Sequence, residues 1–195
     1  LVGMTRGYIA DWKISEETFV GVHSDQQWWQ HYYSNGVTIS GIFDIEFKLP
    51  PVPSGTYEIR LGYTVNPERG VVQAYLNNKP CGIPVDLRMY GTDPTIGWVE
   101  DTEDEEENIA NDKAMHNRGY MKGMDCYRQW DSDHTLRANT NNLRRILVTQ
   151  YLDSEETYRL RFRQVLDDPE CYLSFDFIEL CPKSVYGSPE GEDIY

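Results

Sequence analysis

The chain has 195 residues, of which 39% are hydrophobic, 13% aromatic and 26% charged. That length fits one domain with one core, and 14 Tyr, 6 Phe and 5 Trp are too many for a disordered acidic chain. A net charge of −14 repels phosphate backbones and argues against nucleic acid as a partner, and no run of about 18 apolar residues is present to span a membrane.

The chain begins Leu1-Val2-Gly3 without a signal-like stretch and reads as a piece of a longer protein. Residues 1–36 form an N-terminal segment expected to pack on the main domain. Within it, Trp28, Trp29, Tyr32 and Tyr33 fall at helical spacing, with Ser24 as a candidate N-cap of one or two helical turns. From Val37 the pattern changes. Val37, Ile39, Phe43, Ile45, Phe47 and Leu49 share one parity, which predicts a half-buried strand, and Pro50 to Gly55 breaks it.

Tyr57, Ile59, Leu61, Tyr63 and Val65 alternate with Glu58, Arg60 and Thr64. Residues 66–70 read as a turn and Val71–Leu76 as a return strand, which predicts a hairpin; residues 77–80 make the next turn, and 83–89 another short strand. The same alternation returns late in the chain. Ile146 and Val148 lead one strand, and Tyr158, Leu160 and Phe162 alternate with Arg159, Arg161 and Arg163. Leu173, Phe175 and Phe177 form a third set, and the opposite parity of Ile178 and Leu180 predicts a bulge or twist.

Clean alternation without intervening amphipathic helices predicts an all-β fold, an antiparallel two-sheet sandwich spanning 37–186. A polar tail follows at 187–195. The segment from about 90 to 143 does not fit the strand pattern. It carries seven acids in the eight residues Glu100–Glu107. It is too long for a structureless loop, so it is expected to be an irregular insertion containing short helices.

Cysteines stand at 81, 126, 171 and 181, with no CxxC and no zinc-finger spacing. If 171–181 is one extended strand its ends lie roughly 33 Å apart, which rules out a Cys171–Cys181 bridge. Buried free thiols and one or two other disulfides both stay open.

Gly55–Tyr63, Arg69–Leu76, Tyr158–Phe162 and Phe175–Leu180 together resemble a galactose-binding-like jelly roll, a fold shared by many carbohydrate-binding modules. Lys79–Leu87, Asn117–Gly123 and the closing stretches Pro182–Tyr186 and Glu192–Tyr195 are similar to the C-terminal region of surface proteins of Bacteroidetes that carry fasciclin-like domains. The resemblance covers roughly residues 37–195. It implies an exported, extracellular or cell-surface parent, an outer-membrane lipoprotein, with a role near glycan capture or adhesion. It supplies no catalytic residues, and this chain holds neither a lipobox cysteine nor a fasciclin domain.

Sugar binding needs flat aromatic faces with carboxylates, amides or Arg nearby for the hydroxyls. Two sets of residues fit that need. Trp28 and Tyr32 belong to the first aromatic cluster; Trp98, Tyr120, Tyr127 and Trp130, with Asp125, lie in the insertion. The competing reading is that these rings pack in the core. The acidic run lacks the spacing of a calcium loop and reads as a solvated, mobile segment, and a structural Ca²⁺ elsewhere has no motif to locate it. No GxSxG, HExxH, Walker A or GxGxxG sequence occurs, so no catalysis and no cofactor are expected. The Arg159, Arg161 and Arg163 row reads as cross-strand pairing with acids, or as a groove for an anionic glycan. The function expected is a non-catalytic carbohydrate-binding module of a larger bacterial surface protein, with polysaccharide or glycan as partner. The alternative is a protein–protein interaction or structural module of an adhesin, which binds another surface protein.

Overall fold

The computed structural model describes residues 2–3, 11–14, 19–22, 37–124 and 135–186. The described strands begin with β1 (Val2–Gly3), β2 (Asp11–Ile14), β3 (Phe19–Val22), β4 (Val37–Ser40), β5 (Phe43–Lys48) and β6 (Gly55–Thr64). They continue with β7 (Val71–Leu76), β8 (Lys79–Pro80), β9 (Val85–Asp86), β10 (Tyr120–Lys122), β11 (Asn142–Leu152), β12 (Arg159–Gln164) and β13 (Tyr172–Pro182). Helix α1 (Glu105–Asn117) precedes β10, and α2 (Lys183–Tyr186) follows β13.

All strand pairs are antiparallel. The first sheet runs β10-β11-β6-β13-β4-β3, with β1 also on β13; the second runs β2-β5-β12-β7-β8, with β9 also on β7. Successive strands β4 and β5, β6 and β7, β11 and β12, and β12 and β13 lie in opposite sheets. That alternation of sheets is the jelly-roll path, so the all-β, two-sheet expectation holds. The sheets meet through aromatic side chains: Phe47 of β5 stands edge-on to Phe175 of β13 at 5.6 Å, and Phe162 of β12 lies 5.8 Å from each. Such pairs add about 0.5–1.5 kcal/mol each beyond the area they bury.

Two expectations change. Residues 37–49 are not one strand. The chain turns at Gly41, whose φ of +92° suits glycine, and β4 and β5 join different sheets. The burial parity runs through the break unaltered because both halves face the same core. Nor do β6 and β7 form a hairpin: β6 pairs with β11 and β13, while β7 pairs with β12. Their connection crosses between sheets and is fixed by Arg69, which is fully buried, donates to the Thr64 carbonyl at 3.0 Å and to its hydroxyl at 2.8 Å, and stacks on Tyr172. The real hairpin is β7–β8, closed by Asn77 and Asn78 with φ of +46° and +64°. Asparagine tolerates that region, which the tight primed turn demands.

The parity switch in β13 is a bulge. Phe175 pairs with Tyr63 and Phe177 with Gly62, so Asp176 is the extra residue. Phe175 therefore faces the main core, and Phe177 turns to the opposite face of the sheet, where it packs with Met124 and Leu136. Its ring lies over Gly62, where a Cβ would stand 2.2 Å from it.

Strands β1, β2 and β3 pair with β13, β5 and β4, so the segment before residue 37 contributes to both sheets. The helix expected near Trp28 and the tail at 187–195 lie outside the described residues. Cys81 and Cys171 carry free thiols, and Cys171 precedes an extended β13 that ends beyond Cys181. Cys126 lies outside the described residues.

The acidic run is not loop throughout: residues 100–103 lie outside any helix or strand, and the rest of the run starts α1. Asp104 caps α1 by accepting from the amides of Glu106 and Glu107 at 3.0 and 3.2 Å, and Glu105 to Glu107 form its first turn. Negative charge there is favourable because unpaired amides and the helix dipole face it. Among the described residues no helix is long and apolar enough to cross a membrane.

Candidate functional site

Of the residues the sequence nominates, Trp28, Tyr32, Asp125, Tyr127 and Trp130 lie outside the described residues. Trp98 and Tyr120 are described, and both pack against the main core. Trp98 is half-buried, with the Lys122 ammonium 5.4 Å from its ring centre and its indole Nε1 buried without a hydrogen-bond partner among the described residues. Tyr120 is buried in β10 with the Arg145 guanidinium 4.5 Å over its ring, and it is this burial that withholds the ring from a sugar. Burial raises its hydroxyl pKa.

Around these residues the structure holds an ionic layer. Alternation along β6 turns Glu58 and Arg60 away from the core, yet they are 3% and 0% exposed. Arg60 donates from Nε and Nη2 to Glu58 Oε2 at 2.9 and 2.6 Å and from Nη1 to Glu179 at 3.3 Å. Glu179 also faces Arg144 at 3.4 Å, and Arg144 Nε donates to the Lys122 carbonyl at 2.8 Å. Helix α1 docks on this layer. His116 Nε2 lies 3.0 Å from Glu58, and one turn earlier Asp112 meets Lys122 at 3.2 Å and Arg137 at 2.6 Å. Asp101 binds both of those cations as well.

Burial alone would raise the Glu58 carboxyl, but hydrogen bonds from His116 and Arg60 and the guanidinium charge hold it below its ordinary range. Asp101 is likewise held low: burial would raise it, and Arg137 and Lys122 overcome that. An ionised carboxylate only accepts, so His116 Nε2 carries the proton in this contact. Glu58, Glu179, Asp101 and Asp112 each have a cationic or imidazole partner, which is the arrangement of a docking joint for the insertion.

The outer face of the second sheet is different. There, Gln73, Tyr75, Pro84, Arg163, Gln164 and Val165 line an open groove of about 350 Å³. Strand register explains the set. Tyr75 stands opposite Arg161, and Gln73 opposite Arg163. Alternation sends Gln73, Tyr75 and Arg163 to the solvent face, while Gln164 turns inward and packs against Gly70. Arg161 lies 5.2 Å over the Tyr75 ring and binds Asp44 through both guanidinium branches. Arg159 reaches Glu46 at 2.8 Å. The cross-strand pairing expected of the arginine row thus holds for two of its three members. Arg163 is exposed, and its side chain makes no hydrogen bond or ion pair among the described residues.

Sequence reasoning singled out the arginines but not Gln73 or Tyr75. The signal was their outward parity in β7. Using it required knowing that β7 pairs with β12, about 90 positions later. Among the described residues no group of three or more His, Cys, Asp or Glu could hold a metal ion.

The chain is thus an antiparallel jelly-roll sandwich with a polar, tyrosine-bearing groove on a sheet face. No protein-family model matches it, and no curated protein does. Among solved structures it is similar to a Paenibacillus xanthan lyase, with a TM-score of 0.50 and 12% identity over 89% of this chain. This chain spans only 12% of that one. At that identity the likeness is one of fold.

Proposed function

We propose that the chain is a non-catalytic carbohydrate-binding module and that the groove on the second sheet is its binding site. The observation that carries the reading is the company Tyr75 keeps. A partly exposed ring, an amide at Gln73 and a guanidinium at Arg163 share one open concavity. That combination suits a pyranose, whose C–H face stacks on a ring while its hydroxyls take donors and acceptors at the edge. Kinship of fold with part of a protein named as a xanthan lyase agrees with a carbohydrate-related domain. The resemblance of the closing segments to Bacteroidetes surface proteins supports an extracellular setting within a larger, lipid-anchored parent.

The test is affinity electrophoresis against a panel of neutral and acidic polysaccharides. At least one polymer retards the wild type and Trp98→Ala alike and leaves Tyr75→Ala unretarded. No retardation by any polymer overturns the reading, and retention by Tyr75→Ala moves the site away from the groove.

A second reading, a protein-interaction module, is favoured by the exposed side chains of Ile83 and Val165, 74% and 51% accessible. Val165 itself lines the groove, and Ile83 precedes the groove residue Pro84. Pull-down with a partner surface protein that survives excess polysaccharide would support this second reading.

A further inference from the structure

We infer that the groove selects an acidic sugar, one bearing a carboxylate, and that Arg163 is the residue that reads it; this rests on the glycan reading above. Strands β5 and β12 present Asp44, Glu46 and Lys48 beside Arg159, Arg161 and Arg163, four cations against two carboxylates. The face is therefore locally positive in a chain whose net charge is −14.

Both described carboxylates of the face are already committed, Asp44 to Arg161 and Glu46 to Arg159. That leaves Arg163 and Lys48, and of these two Arg163 is the one that lines the groove. Just past β12, Asp168 is turned onto its own loop, accepting from the Glu170 amide at 3.0 Å and from the Cys171 thiol at 3.4 Å.

A guanidinium presents two parallel N–H groups that match the two oxygens of a carboxylate, which a sugar hydroxyl cannot do. Gln73 spends its amide nitrogen on the Ala74 carbonyl at 2.8 Å, so its carbonyl oxygen is the end suited to a sugar hydroxyl. Tyr75 offers the apolar contact. One residue of an acidic polysaccharide satisfies all three. The remote acids do not forbid this, because charges beyond roughly 8 Å are largely screened at physiological salt.

The experiment measures affinity by calorimetry for four acidic polymers, namely polygalacturonate, alginate, xanthan and gellan. Each is paired with its carboxyl-reduced form, and neutral polysaccharides run alongside. The expected result is binding to at least one acidic polymer, at least tenfold weaker binding to its reduced form, a similar loss in Arg163→Gln, and none in Lys48→Gln. Lys48 is an exposed cation of the same sheet face outside the groove, so that variant carries the same change of net charge. Equal binding of an acidic polymer and its reduced form overturns the inference and leaves the glycan reading standing. So does binding of neutral polymers alone. Equal losses in Arg163→Gln and Lys48→Gln also overturn it, since they signify diffuse charge attraction. Binding to nothing overturns both readings.

Discussion

Arg163 stands directly across from Asp44 in the β5–β12 register, yet the Asp44 carboxylate bonds to Arg161, two residues along the same strand. Glu46 shows the same diagonal step: it faces Arg161 in register and bonds to Arg159. The row of acids is shifted by one pair against the row of arginines, and the shift leaves Arg163 at the groove with no acid of its own.

This relationship predicts the effect of Arg161→Met. Removing the Arg161 guanidinium frees Asp44 to take its register neighbour, which neutralises Arg163. Affinity for an acidic glycan should then fall severalfold although Arg161 need not touch it. The ion pair is partly exposed, so stability should change by no more than about 1 kcal/mol. Calorimetry and thermal unfolding of the one variant check both halves. The double variant Asp44→Asn/Arg161→Met should restore binding.

Arg60→Met tests the ionic layer. The substitution leaves the buried Glu58 with His116 and the buried Glu179 with Arg144 as their ionic partners among the described residues. Removing one member of a buried charged set costs about 3–5 kcal/mol, because the remaining charge has lost its compensation. Chemical unfolding should show that loss, and Arg60→Lys should recover only part of it, since an ammonium cannot fork to both carboxylates.

The same layer fixes a pH dependence. Glu58 and Asp101 titrate below their ordinary values of 4.5 and 3.8 in the folded chain. A depressed carboxylate stabilises the fold fully above its unfolded pKa, and that stability is lost as pH falls through the folded value. The melting temperature should therefore hold from neutral pH down to about 5 and then fall. In Glu58→Gln the melting temperature should start lower and decline less between about pH 4.5 and 3. An identical slope in the variant would remove Glu58 from the account.

Gly62→Ala tests the bulge. Its new methyl would stand 2.2 Å from the Phe177 ring, so ring or strand must move. Overpacking of this kind costs about 1–3 kcal/mol. Combining it with Phe177→Leu should cost less than the sum of the two single changes, since both act on one contact. Full additivity would contradict the packing described.

The strands were legible because each sheet has one face on the core, and Phe43, Ile45 and Phe47 or Leu160 and Phe162 say so by alternation. Their partners were not. The five residues Asn66–Gly70 can close a hairpin or cross between sheets, and what decides is Arg69 binding Thr64 and stacking on Tyr172, about 100 positions away. Glu58 and Arg60 looked solvent-facing by residue type, and only the insertion, through His116, and the distant Glu179 make their burial tolerable. The acidic run hid a helix start because its uniform charge masked Asp104 as a cap. The arginine row was visible as a pattern. Which of its members was left without an acid depended on the diagonal register.

The measurement that bears most directly on the central claim is a ¹⁵N NMR titration of the chain with an oligosaccharide from a polymer that retards it. The account predicts shifts concentrated at Gln73 to Tyr75 and Arg163 to Val165, with Trp98 and Tyr120 unmoved. Shifts centred on Trp98 and Tyr120, with β7 and β12 silent, would contradict it.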